Sequence, residues 1–209
     1  MSALRFSSLI ILFPILFAAC GRSELIRIRM LAPVTEDKKD YAIFTDTEST
    51  ITPVIINKQN GGSLYFLFKS IGLGYTTITT KMEKADENLT EKTTLVTNFA
   101  DVAFGIGENY SFMWGAGVLS GGKMETSLNS FYTKNNYLGG HSIFFVLGHH
   151  GFGFETLLGY RTNFIKAEFE ESDLPTTVGK TGKDKDFTYE SNKISFTTSQ
   201  VQLGIGFTF

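Results

Sequence analysis

Along the stretch from Ile194 to Phe209, apolar side chains occupy every second position. Val201, Leu203, Ile205, Phe207 and Phe209 share one parity, and Gln200, Gln202, Gly204, Gly206 and Thr208 share the other. Successive residues of a strand point to opposite faces, so this segment makes one apolar wall and one small, polar wall. A helical period of 3.6 would scatter both sets. The pattern recurs upstream, where Val102, Phe104 and Ile106 oppose Asp101, Ala103 and Gly105, and where Phe112, Trp114, Ala116 and Val118 oppose Gly115 and Gly117. From Phe152, the residues Phe154, Leu158, Tyr160 and Phe164 keep its parity against Gly153, Glu155, Gly159 and Arg161. Ile71, Leu73 and Tyr75 oppose Gly72 and Gly74, whereas Leu64, Phe66 and Phe68 sit on the other parity. That flip predicts a β-bulge near Lys69.

Six strands are legible in this way, and closure of a sheet predicts two more, near Leu25 to Leu31 and Thr50 to Ile56. Pro53 cannot donate to a ladder and belongs at a strand end or bulge. Connections are expected to alternate. Short links fall at Asn57 to Gly62, Gly107 to Asn109 and Gly148 to Gly151; long polar links fall at Lys81 to Lys92, Met124 to Gly139 and Lys166 to Asn192. An all-β, antiparallel, up-and-down transmembrane β-barrel of about eight strands has this asymmetry, with short turns at one end and long loops at the other.

The first residues change the picture of where such a barrel would go. Arg5, an apolar run from Leu9 to Phe17 broken by Pro14, and Ala18-Ala19-Cys20 form a targeting segment too short to be a membrane helix. Residues 1–19 are therefore expected to be a signal peptide, 20–24 a short tether, and 20–209 one barrel domain. Cys20 is the only cysteine, so no intramolecular disulfide can form, and the run Leu16-Phe17-Ala18-Ala19-Cys20-Gly21 resembles a bacterial lipoprotein signal. The resemblance implies acylation of Cys20.

Composition agrees with strands: 21 Gly and 20 Phe stand against 4 Pro. A net charge of -2 without a basic stripe excludes nucleic acid as the natural partner. Parity then places charges inside. Arg27, Arg29, Asp101, Glu155 and Arg161 oppose the apolar positions of their strands and are expected in the lumen. Glu155 and Arg161 are six positions apart, roughly 20 Å at about 3.3 Å per residue, so each needs partners on other strands. Counting from the short turns gathers Asp101 and Glu155 with Arg27 and Arg29 into one plug. Tyr75, Tyr110, Trp114, Tyr160 and Phe207 are expected to face lipid near its two interfaces.

These features resemble the small eight-stranded outer-membrane barrels, the class of the OmpA membrane domain and OmpX. Val201-x-Leu203-x-Ile205-x-Phe207-x-Phe209 resembles the C-terminal signal read by the outer-membrane assembly machinery. The resemblance implies the bacterial outer membrane, with its lipids and that machinery as partners and a surface ligand reached through 81–92, 124–139 and 166–192. The expected role is a structural or surface-interaction barrel without enzymatic activity or cofactor. A narrow pore, a lipid-modifying barrel enzyme and a soluble, periplasmic lipocalin-like binder are the alternatives, since alternation alone does not say which face is inside.

Candidate chemistry is sparse. His141 and Ser142 resemble the His and Ser of outer-membrane lipid A deacylases, but adjacent strand residues point to opposite faces. His149 and His150 are expected in a tight turn, facing water, and lack the acid or thiol spacing of a metal set.

Overall fold

The structure is a computed structural model that describes residues 26–34, 36–38, 45–46, 55–86, 89–128, 131–135, 137–151, 153–168, 187–188 and 193–209. The leader, Cys20 and the tether, Pro53 and most of 166–192 lie outside the described residues. Twelve strands are assigned, in chain order β1 (Ile26–Pro33), β2 (Glu36–Lys38), β3 (Thr45–Asp46), β4 (Ile55–Phe68), β5 (Ile71–Asp86), β6 (Leu89–Gly107), β7 (Tyr110–Leu128), β8 (Phe131–Asn135), β9 (Leu138–Gly151), β10 (Phe154–Glu168), β11 (Phe187–Thr188) and β12 (Lys193–Thr208).

Eight of them, β1, β4, β5, β6, β7, β9, β10 and β12, form a closed antiparallel barrel, because β1 pairs with both β12 and β4. Closure removes the sheet edges that would otherwise leave backbone donors and acceptors unpaired. Even the ends meet: the amide of Ile26 donates to the carbonyl of Phe209 at 3.2 Å, and that of Phe209 to Ile26 at 2.9 Å.

One spiral of partners shows how the wall is built. Ile26 pairs with Phe68, then in turn come Ile71, Phe104, Trp114, Phe145, Tyr160 and Val201. The carbonyl of Val201 accepts from the amide of Val34, eight residues beyond Ile26 on the same strand (34 − 26). The stagger is therefore eight residues over eight strands, about one per strand. Every member of the spiral is apolar or aromatic and lies on the outer face. Cross-strand ring pairs reinforce it, with Phe104 and Trp114 centroids 6.2 Å apart and Phe145 and Tyr160 5.6 Å apart.

The burial pattern decides which face is inside. Leu64, Phe66, Phe68, Leu73, Val118, Ile143, Leu147, Leu203 and Ile205 are exposed, whereas Arg29, Arg161, Asp101, Glu155 and Gln202 are buried. This is the reverse of a lipocalin, whose apolar face turns inward. Tyr75, Tyr110, Tyr160 and Phe207 are exposed and Trp114 half-buried, all five on the outer parity.

Several expected connections are corrected. The parity flip at Lys69 is a two-residue turn rather than a bulge: β4 and β5 pair up to Phe68↔Ile71, and Lys69 takes a φ of 54°. A bulge does exist, but between β6 and β7 at Asn98/Phe99. Asn57 to Gly62 lies inside β4, so the second barrel strand begins at Ile55 and runs well past Ile56. Gly148 to Gly151 lies inside β9, and Gly153, with a φ of 87°, precedes β10. His149 and His150 are thus strand residues; His149 is exposed and stacks on Tyr110 at 4.7 Å. Gly107 to Asn109 does turn, at Glu108 and Asn109.

At the opposite end the expected loops are mostly strand. β5 and β6 pair in register up to Asp86↔Leu89, and 124–139 contains the end of β7 and β8, which pair from Met124↔Asn135 to Leu128↔Phe131. Thr and Lys in alternation read as loop in sequence, yet the hydrogen-bonded ladder carries them beyond the apolar belt. The asymmetry between the two ends persists as tight turns at one, the turn end, and protruding ladders at the other, the extension end.

Candidate functional site: two charged layers in the lumen

The lumen is filled, and its polar side chains sit in two layers. Near the turn end, Arg29 of β1 donates through Nε to Glu155 Oε2 at 2.8 Å and through Nη2 to Glu155 Oε1 at 2.9 Å. Ser111 of β7 accepts from Arg29 Nη2 at 2.7 Å and donates to Glu155 Oε1 at 3.1 Å. Such a bidentate pairing matches the planar guanidinium to the carboxylate. Arg27, one step closer to the turns, donates to the carbonyl of Gly107 at 2.7 Å. Gly206 makes the room: a Cβ there would lie 2.6 Å from Glu155 Oε2.

The second layer is centred on Arg161 of β10. Its Nη1 and Nη2 donate to Asp101 Oδ2 and Oδ1 at 2.8 and 2.9 Å, and its Nε donates to Asn163 Oδ1 at 2.9 Å. Nη2 also reaches Ser142 Oγ at 2.5 Å, and Nη1 reaches Thr76 Oγ1 at 3.0 Å and Tyr65 Oη at 3.1 Å. Thr76 in turn donates to Asp101 Oδ2 at 2.6 Å, closing a triangle. Phe99 and Phe144 flank the guanidinium at 4.7 and 5.3 Å from their ring centroids. A Cβ on Gly117 would collide with Asp101 Oδ1, so glycine is required for the carboxylate to stand there.

Between the layers lies an apolar cluster of Leu31, Leu67, Ala103, Met113, Val146 and Leu157, with Tyr65 and Phe144 at its upper edge. Allowing for the stagger, the two charged layers coincide with the lower and upper margins of the outer apolar belt. The interior between them is apolar side-chain packing, as the bore of an eight-stranded barrel permits.

All five sequence-predicted lumen charges are buried: Arg27, Arg29, Asp101, Glu155 and Arg161. The single plug is corrected to two. Asp101 pairs with Arg161 rather than with Arg27 or Arg29, because spiral stagger lifts the β6 position by the strands that separate it from β1. Glu155 and Arg161 do not meet. Tyr65, Thr76, Ser111 and Asn163 were not singled out from sequence, and Ser142 only beside His141, although each has inward parity on its strand.

The remaining candidates are kept apart by the wall. His141 is exposed and stacks on Phe164 at 5.0 Å, while Ser142 is buried on Arg161, so the two never form a dyad. Val201, Leu203, Ile205, Phe207 and Phe209 line the outer face of β12. Among the described residues no group of three or more His, Cys, Asp or Glu side chains could hold a metal ion.

No family model matches the chain, and no curated protein matches it. Among solved structures it is similar to the outer membrane protein OprG from Pseudomonas aeruginosa, at 10% identity and a TM-score of 0.40, over 90% of this chain and 98% of that one. The barrel assignment rests on the strand pairings themselves.

Proposed function

We propose that the chain is an outer-membrane barrel that works as a structural or surface-interaction element, presenting its protruding ladders on a sealed, bilayer-spanning base. The observation that carries this reading is the continuous spiral of outward apolar side chains from Ile26 to Val201, around a lumen whose charges are internally paired. An exposed apolar surface of this extent is costly in water and favourable in hydrocarbon. Tight turns at one end and extended ladders at the other match periplasmic turns and external loops. The leader through Ala19 and acylation of Cys20 belong to the same reading, and the mass of the mature N-terminus tests them.

A solute pore is the weaker alternative, because two ion-pair layers and an apolar cluster occupy the bore. The decisive substitution is on the outside. Ala116 is exposed on β7 within the belt; Ala116→Arg should cost about 2 to 4 kcal/mol of unfolding free energy in phosphatidylcholine bilayers if it meets lipid. An unchanged unfolding free energy, or release of the wild-type protein from membranes by carbonate washing, would overturn the membrane reading. Stable nanosiemens-scale conductance in planar bilayers would replace it with the pore.

A further inference from the structure

On the outer face, just beyond the belt at the extension end, the charged residues follow a repeated order. Lys81 and Glu83 on β5, Lys123 and Glu125 on β7, and Lys166 and Glu168 on β10 are outward pairs spaced by two. In each the lysine is the member nearer the belt and the glutamate lies about 7 Å further out along the strand. With one residue of stagger per strand, the three lysines fall at one height around the barrel. Lys58 of β4, the direct partner of Lys81, is within one residue of it. The glutamates are partly engaged already: Glu83 pairs with Lys92 at 3.0 Å, and Glu125 with Lys123 at 2.9 Å.

Next to this ring on the outer face are Val96 of β6, the direct partner of Lys123, and Phe164 of β10, two positions before Lys166; Tyr75, Val118 and Tyr160, the upper margin of the apolar belt, lie five or six positions further down the lysines' own strands. A ligand that touches both must be amphiphilic, with an anionic group above an acyl region. We propose that Lys58, Lys81, Lys123 and Lys166 form an annular site for the phosphate headgroups of lipids in the leaflet at the extension end. The inference rests on the membrane reading above and names a partner for it. Cations next to the belt attract the phosphates, and the acids beyond them set the height at which headgroups stop, so the ring fixes the depth of the barrel as well as its lipid shell. Charge complementarity and continuity with the belt favour a lipid over a free ion, which would gain nothing from the apolar margin.

The test reads lipid binding by native mass spectrometry of the detergent-folded barrel, titrated with phosphatidylglycerol or phosphatidylcholine. Heat-modifiable gel mobility of each variant reports folding, and insertion of the wild type into phosphatidylcholine bilayers reports the membrane reading separately. Lys81→Gln with Lys123→Gln and Lys166→Gln should weaken phosphatidylglycerol binding by about a hundredfold if each cation contributes as juxtamembrane lysines do, with phosphatidylcholine unaffected. The corresponding arginine triple variant should retain binding. A second variant, exchanging Lys81 with Glu83, Lys123 with Glu125 and Lys166 with Glu168, keeps the net charge and reverses the order; it should lose the preference too. A loss below about fivefold in the glutamine variant, an undiminished preference in the exchanged one, or full competition by inorganic phosphate would each overturn the proposal while leaving the barrel intact.

Discussion

The two charged layers of the lumen use the same chemistry with different completeness. In the upper layer every nitrogen of Arg161 has an acceptor, and the partners come from β4, β5, β6, β9 and β10. In the lower layer, among the described residues, Arg29 joins only β1, β7 and β10, and its Nη1 has no hydrogen-bond partner. A buried ion pair must recover the cost of removing two charges from water, and it does so only when the remaining donors are also met. The upper layer is therefore expected to behave as one unit and the lower as a looser clamp across the closing strands β12 and β1. Breadth of connection, more than the pair itself, sets what a charge inside a barrel contributes.

The strongest way to break that comparison is Asp101→Ala, which strands Arg161 among Phe99 and Phe144. A loss of about 3 to 5 kcal/mol is expected in urea unfolding from lipid vesicles. Glu155→Ala should cost less, because Arg29 keeps the Ser111 hydroxyl as an acceptor and fewer strands depend on the lower pair; equal losses at the two sites would erase the proposed difference. Gly117→Ala sharpens the picture by volume alone, since its methyl group must displace Asp101: a penalty of about 1 to 3 kcal/mol is expected. The smallest effect should come from a coupling measurement. Combining Glu155→Gln with Arg29→Gln should be non-additive by about 0.5 kcal/mol or more, and strict additivity would mean that the lower pair contributes nothing as a pair.

Much of this molecule was legible in its sequence, for a definite reason. Alternation along β12, β10 and β7 assigned each residue to a face, and the inward position of Arg29, Glu155, Asp101 and Arg161 followed. Parity says nothing about height across strands, so the partner of Asp101 was misassigned until the stagger of the spiral was known. The turn at Lys69 was hidden because Lys69, which takes the positive φ, is not a usual turn residue, and a change of parity fits a bulge as well as a hairpin. The protruding ladders were read as loops because their outward residues, Lys81, Glu83 and Lys92 for example, carry no apolar signal; backbone pairing, not side-chain burial on both faces, extends them. Thr76 gave no warning at all, and Ser142 drew notice only as the neighbour of His141, since a hydroxyl on an inner face is common and only Arg161 gives these two their meaning.

The mutual hydrogen bonds of Ile26 and Phe209 carry a temporal consequence. They join positions 183 apart in the chain (209 − 26), so the cylinder acquires its last wall only when its final strand is in hand. Every shorter length is an open sheet with two unpaired margins, able to add a foreign strand as readily as its own. The loop entropy of that last pairing is among the largest the chain can incur, and local hairpins such as Phe68↔Ile71 form long before it. Hairpins first and circumference last is the order that this architecture imposes. A nascent copy therefore has to be kept from its neighbours until residue 209 arrives.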